Sequence, residues 1–224
     1  LVCDEILPAV AAEQLASYCD VFCDRGAFTP EEAQRIFACG LELGLSPRVH
    51  ANEFGHTGGA QVAAELAAAS ADHLLYLNGE ERRALREAGV VATLLPGTST
   101  VLGKPFADGR ALIADGVPVA VATDCNPGSC AFESLAMVLG LACYGCRLTP
   151  AQAICAATHN AACSLGLANQ VGRLEVGMDA DLLVLDTSDY RDLVYHTGSP
   201  LIQTVVRRGE VLYAGRSSFE ASAS

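Results

Sequence analysis

Clustered positive charge is scarce in this chain of 224 residues, which has 14 basic side chains against 26 acidic ones and a formal net charge of −12. Nucleic acids and anionic membrane surfaces are bound by grouped Lys and Arg, so the composition argues against both kinds of partner. No apolar run reaches the roughly 18 residues of a membrane span, and no signal peptide is evident. A small anionic substrate is still permitted, because one or two local cations could hold it.

A second absence concerns metal ligands, since the sequence contains no His-x-His pair. His50, Glu53, His73 and Asp124 nevertheless stand at the ends of successive apolar, strand-like segments. Imidazole and carboxylate groups at the ends of buried strands are how an α/β barrel assembles a metal-hydrolase site. Such a site needs at least three protein ligands, and only two convincing ones are visible, so the sequence predicts an incomplete metal centre.

What the chain does have is ample apolar material, at 51% of residues with 18% charged. That balance is typical of a globular protein with a sizeable core, and the length suits one large domain or one and a fraction. Most of the ten cysteines lie in apolar segments, where a free Cys acts as a small hydrophobe. We therefore expect a reduced, cytoplasmic protein.

Helix and strand signals alternate along most of the sequence. The predicted strands cover 20–24, 48–53, 71–76, 90–96 and 117–123. The predicted helices cover 5–18, 29–44, 60–69, 80–88, 109–115, 132–143 and 149–165, with a loose loop after 96. Continuously apolar strands indicate a parallel sheet buried on both faces, hence an α/β barrel or a doubly wound sheet. Polar residues at the carboxyl ends of several strands favour the barrel, because a doubly wound sheet concentrates its site at one switch point.

The sequence pattern changes near residue 168, from alternating helix and strand signals to turns and strands. Turn-rich sequence, a strand at 180–186 and a hairpin within 202–214 predict a small β module. We expect an α/β fold with a partial TIM-type (β/α)8 barrel over 1–168 and part of a β-sandwich-like module over 169–216. A disordered tail is expected over 217–224.

The candidate site residues suit metal-assisted hydrolysis. His50 and Asp124 are ligands of the type that bind Zn²⁺ or iron, and a metal held by them lowers the pKa of a bound water to about 7. Glu53 stands where it could reach a bound substrate, and His73 could orient the water or shuttle a proton. Other acidic residues next to strands are expected only to cap or to be solvated, namely Asp20, Asp24 and Asp72.

The segment Asn126-Pro127-Gly128-Ser129 predicts a tight turn beyond Asp124. Its backbone amides could cradle a polar substrate.

Several segments together resemble the imidazolonepropionases, a family within the amidohydrolase superfamily. In order and spacing from residue 1 to about residue 215, they are Val49-His50-Ala51-Asn52-Glu53, Ser70-Ala71-Asp72-His73, Ala122-Thr123-Asp124-Cys125-Asn126-Pro127-Gly128-Ser129 and Ala180-Asp181-Leu182-Leu183-Val184. The resemblance implies hydrolysis of 4-imidazolone-5-propanoate to N-formimidoyl-L-glutamate in histidine breakdown, with one Zn²⁺ or iron.

The resemblance also implies a role for each matching residue. His50 and Asp124 would bind the metal, and His73 would help activate the water. Glu53 would contact the substrate, as would the loop residues Asn126, Gly128 and Ser129.

The sequence lacks part of the family's site, and this leaves alternative functions open. The family's His-x-His pair and the Arg, Tyr and His that hold the propanoate precede the matching part, so this chain is expected to correspond to barrel strands 4 to 8. We expect a homo-oligomer, or association with the missing amino-terminal half. The remaining alternatives are a purine or pyrimidine aminohydrolase of the same superfamily, against which the Asn-Pro-Gly-Ser loop argues, and an inactive fragment of the hydrolase.

Overall fold

The computed structural model describes residues 1–215 as an α/β structure with two sheets. The strands are β1 (Tyr18–Cys23), β2 (Ser46–Ala51), β3 (Ser70–His73), β4 (Val91–Leu94), β5 (Val119–Val121), β6 (Leu182–Leu185), β7 (Ile202–Arg207) and β8 (Glu210–Ala214). The helices are α1 (Leu7–Ala12), α2 (Pro30–Glu42), α3 (Gly59–Glu65), α4 (Gly79–Ala88), α5 (Pro96–Val101), α6 (Gly109–Ala114), α7 (Leu135–Tyr144), α8 (Pro150–Ala157), α9 (His159–Ser164) and α10 (Asp192–Tyr195). A π-helical turn at Val2–Ile6 precedes α1.

The larger sheet has five parallel strands in the order β1-β2-β3-β4-β5. Every residue of β3, β4 and β5 is buried, which the apolar sequence of β4 and β5 predicted, whereas β3 buries the polar Ser70, Asp72 and His73. The strands follow one another without the order reversal that creates a switch point in a doubly wound sheet. Their carboxyl ends therefore lie along one edge of the sheet, and this edge carries the candidate site.

Local sequence signals explain where several helices begin. Thr29 and Thr149 cap α2 and α8 with their hydroxyls, and each helix has Pro at its first position. Asn78 caps α4 in the same way, accepting from the backbone amides of Glu80 and Glu81.

The structure corrects several predicted element boundaries. The helix predicted over 5–18 ends at Ala12, since Gln14 takes a left-handed conformation with φ 52° and Tyr18 already begins β1. The loop predicted after residue 96 contains α5, which Pro96 opens at the first helical position. The helix predicted over 149–165 is two helices, because Thr158 breaks it with φ −120° and ψ −91°.

The smaller sheet is antiparallel, with β7 between β6 and β8. Its strands match those predicted for the β module, whereas the division into domains stays a prediction. The predicted tail at 217–224 lies outside the described residues. All ten cysteines lie inside them, and each is a free thiol. No helix between residues 1 and 215 has the length and apolar character needed to cross a bilayer.

Candidate metal centre

Three potential metal ligands converge at the carboxyl edge of the parallel sheet. His50 lies in β2, His73 ends β3, and Asp124 follows β5 by three residues. One ligand atom from each of these side chains lies within 4.8 Å of the other two. Two imidazoles and a carboxylate at this separation suit Zn²⁺ or iron. The sequence placed His73 beside the metal as a group acting on water, and the structure also brings it within reach of an ion.

The surroundings of His73 fit a bound cation. Its side chain is 3% exposed, and its Nε2 lies 3.7 Å from Glu53 Oε2 and 4.0 Å from Asp124 Oδ2. Its Nδ1 is buried without a hydrogen-bond partner among the described residues. Burial, followed by the nearby charge of His50, lowers the pKa of His73 to about 4. The imidazole is therefore neutral at pH 7, the form that can bind a metal or accept a proton.

The carboxylate of Asp20, which the sequence predicted only to cap or to be solvated, contacts His50. Asp20 Oδ2 lies 2.8 Å from His50 Nδ1. Burial alone would lower the pKa of His50, but the hydrogen bond and charge of Asp20 outweigh it and raise the pKa to about 9. A carboxylate on one ring nitrogen fixes the orientation of the other toward a metal. Asp20 is exposed, as expected for a solvated carboxylate, and it also makes this contact with His50, which the sequence did not predict.

Asp24 caps backbone amides, as expected, and its carboxylate holds the loop that carries Glu53. Its Oδ2 accepts from the backbone amides of Glu53 at 2.5 Å and Phe54 at 3.0 Å, while Oδ1 accepts from Arg25 N at 2.7 Å. Asp24 is itself 5% exposed. The loop after β1 and the loop after β2 are therefore tied together beside the candidate site.

Glu53 occupies a buried position beside His73 and is 5% exposed. Burial, then the charges of Asp124 and Asp24, raises its pKa to about 7. A carboxyl group with this pKa can hold or release a proton near neutral pH, which is what general acid–base chemistry requires.

The backbone around the site is strained. His73, Leu74 and Asp124 have φ values of 74°, 56° and 54°, a region that L-residues seldom adopt. Such conformations cluster at functional sites, where the surrounding structure imposes them. The Thr98 hydroxyl donates to Asp124 Oδ2 and helps to fix that side chain.

The turn after Asp124 forms as predicted but uses its amides internally. Asn126 Oδ1 accepts from Gly128 N at 2.9 Å and from Ser129 N at 2.7 Å. These two amides are therefore not free to cradle a substrate, contrary to the expectation. Asn126 Nδ2 donates to the Asp124 carbonyl at 2.7 Å, so the turn positions Asp124. Substrate contact through the side chains of Asn126 and Ser129, or at Gly128, stays a prediction.

Comparison with known folds supports the architecture. The chain superposes on a 5-methylcytosine deaminase from Klebsiella pneumoniae liganded with 5-fluorocytosine, with a TM-score of 0.77 at 19% identity over 94% of this chain and 59% of that one. It also superposes on an adenosine deaminase from Xanthomonas campestris with bound zinc, with a TM-score of 0.73 at 22% identity over 85% of this chain and 50% of that one. At such identities the likeness concerns the fold alone.

Comparison of sequences finds relatives with higher identity than these structural neighbours. The chain is 47% identical over 212 residues to an imidazolonepropionase of Geobacillus kaustophilus, covering 95% of this chain and 50% of that protein. It is 43% identical over 205 residues to an imidazolonepropionase of Bacteroides fragilis, covering 92% of this chain and 49% of that protein. The chain thus spans about half the length of the curated relatives it matches, and the resemblance seen in the sequence is confirmed. A profile of the amidohydrolase family matches residues 30–212, and the chain belongs to that family.

Proposed function

We propose that this site, within the intact protein, hydrolyses the ring of 4-imidazolone-5-propanoate to N-formimidoyl-L-glutamate, a step in histidine breakdown. The observation that carries the proposal is the group His50, His73 and Asp124, whose ligand atoms lie within 4.8 Å of one another beside Glu53. Relatives named imidazolonepropionase support the choice of substrate, at 41–47% identity.

His50 and Asp124 would hold one Zn²⁺ or iron ion, with His73 next to it. The metal, when bound, supplies Lewis-acid chemistry and makes a water acidic enough to attack at neutral pH. The family resemblance places a His-x-His pair in the half of the relatives that this chain does not span. We propose that this half also completes the (β/α)8 barrel, of which β1 to β5 would be strands 4 to 8.

The chain's own residues would orient the substrate and manage protons. The new bond joins the water oxygen to the ring carbonyl carbon, the ring C–N bond breaks, and the leaving nitrogen takes up a proton. Neutral His73 can accept the proton that the water loses. Glu53 can contact the ring and return a proton to the nitrogen, since its pKa is about 7.

We also propose that the protein works in the cytoplasm. Cys19, Cys23 and Cys146 are buried as small apolar side chains, and burial raises the pKa of Cys146 to about 12. Thiols used for packing need no oxidising compartment. Alkylation of the unfolded, unreduced protein should modify all ten cysteines.

The test of function uses protein that includes the preceding half. When wild-type protein is supplied with 4-imidazolone-5-propanoate, the absorbance of the imidazolone ring should fall with time. A chelator should stop this decrease. His50→Ala and Asp124→Ala should each abolish this turnover, whereas His196→Ala, an exposed histidine in the β module, should retain it. Absence of metal-dependent ring loss in wild type would refute the proposal. Ammonia release from a purine or pyrimidine would instead favour the aminohydrolase alternative.

A further inference from the structure

Lys104 is the only lysine in the 224-residue sequence. It lies between α5 and α6, where its backbone amide donates to the Ser99 carbonyl at 2.9 Å. Its Nζ lies 4.7 Å from the centre of the Phe54 ring. Phe54 directly follows Glu53, so the chain's single lysine ammonium stands beside the loop that carries Glu53.

Aromatic rings connect this ammonium to the metal centre. The Phe54 and Phe22 ring centres are 6.1 Å apart, and the Phe22 and His50 ring centres are also 6.1 Å apart. The positive charge of Lys104 is among the influences that oppose the raised pKa of Glu53. Lys104 is therefore electrostatically coupled to the site although it is separated from it by a ring.

The ammonium of Lys104 makes no ion pair within residues 1–215, although acidic side chains outnumber basic ones in the chain. Its contact with Phe54 is a cation–π interaction, which leaves the three N–H donors of the ammonium available. Arg25 lies beside the same loop, with a guanidinium nitrogen 3.3 Å from the point that a Cβ on Gly55 would occupy. The loop that carries Glu53 and Phe54 therefore has two cationic side chains beside it, in a protein of net charge −12.

We propose that Lys104 binds the carboxylate of the substrate's propanoate arm and so makes the site prefer an imidazolone that carries an acid. This inference rests on the proposed function. It supplies a specificity-determining cation from this chain, in addition to those that the family resemblance places in the other half. A purely structural role, in which the cation–π contact holds the loop, is the competing explanation.

Kinetics on protein that includes the preceding half distinguish the two roles. Lys104→Gln should raise KM for 4-imidazolone-5-propanoate about tenfold, in line with loss of a charge-assisted hydrogen bond. It should leave turnover of the corresponding methyl ester unchanged, and Lys104→Arg should keep most of the preference. Arg83→Gln, which removes one exposed positive charge on α4, controls for net charge and should leave the kinetics with both substrates unchanged. The proposal would be overturned if Lys104→Gln reduced kcat/KM equally for the acid and the ester, or if it reduced kcat/KM for neither.

A binding measurement keeps the inference testable even if the proposed reaction fails. Reductive methylation with ¹³C-formaldehyde labels one lysine in the wild-type chain, and Lys104→Arg identifies its signal in a ¹³C–¹H spectrum. The signal of the dimethylated, still charged Lys104 should shift saturably with glutarate and stay in place with glutaramide. A shift no larger than that caused by sodium chloride at equal ionic strength would refute carboxylate binding.

Discussion

At the scale of single residues, we propose that Asp20, which is outside the candidate ligand group, orients one of its members. Asp20 is held against His50 Nδ1 at 2.8 Å, which leaves the other ring nitrogen for a metal. Removing such a carboxylate partner costs metal sites about 10- to 100-fold in affinity. We expect Asp20→Asn to weaken metal binding by this factor, measured by competition with a chromogenic chelator. Asp4→Asn, at a side chain 89% exposed, is the matched control, and equal affinities for the two variants would contradict the assigned role.

Asn52 is a second residue whose importance lies in its contacts. It is fully buried with φ 53°, its Nδ2 donates to the Tyr76 carbonyl at 2.8 Å, and its Oδ1 accepts from Ala60 N at 3.2 Å. Asn52→Ala would leave both backbone groups without this partner and force Ala into a left-handed backbone. We expect a loss of roughly 2–4 kcal/mol in the free energy of unfolding, measured in urea.

Asn169→Ala is the control for Asn52, since that side chain is exposed. A change within about 0.5 kcal/mol is expected there. If the two variants unfolded at the same urea concentration, the two hydrogen bonds of Asn52 to backbone groups would contribute no stability.

The sequence identified residues whose chemistry is distinctive. It did not identify residues whose role depends on how neighbouring strands align. His50, His73 and Asp124 could be singled out because imidazole and carboxylate groups at strand ends suit metal sites: His50 and His73 lie at the ends of β2 and β3, and Asp124 follows β5. Asp20 could not, because its meeting with His50 requires the parallel register that pairs Phe22 with His50 and so places Asp20 on the same face. Nothing in a single sequence specifies that register between parallel strands.

At the scale of elements, the close packing of α3 on the sheet depends on Gly59. A Cβ there would lie 2.9 Å from both the Ala51 Cβ and the Cys23 carbonyl oxygen. Gly59→Ala must push α3 away from β1 and β2, and we expect this to cost about 1–3 kcal/mol of unfolding free energy. Gly79→Ala, at the first position of α4, would meet nothing nearer than 3.8 Å, so it should be neutral or slightly stabilising. Thermal unfolding of the two variants side by side is the measurement, and equal midpoints would contradict the packing argument.

The elements themselves were largely predictable where local signals decide them. The caps at Thr29 and Thr149 fixed helix starts, and the apolar runs located every strand to within a few residues. The break at Thr158 was not predicted. Beyond it, Asn160 Nδ2 of α9 donates to the Val119 carbonyl of β5 at 2.8 Å, and only the folded structure brings these two residues together.

At the scale of the whole molecule, the described residues leave both edges of the parallel sheet open. β1 pairs only with β2 and β5 only with β4 among residues 1–215. The β module also presents apolar side chains to solvent, with Val211, Leu212 and Tyr213 between 54% and 59% exposed. Open strand edges and grouped apolar surface are features that monomeric proteins normally avoid.

We therefore expect the isolated 224-residue chain, of 23.3 kDa, to self-associate or to bind a separate polypeptide corresponding to the preceding half of an imidazolonepropionase. Alone, it should sediment above its monomer mass and hold metal weakly, because the His-x-His pair that the family resemblance implies belongs to the other half. Mixed with the other half, it should form a complex in a fixed ratio that binds one metal ion tightly. A stable monomer that retains stoichiometric metal through gel filtration would show that the open sheet needs no partner, and that the ligand group at its carboxyl edge is sufficient by itself.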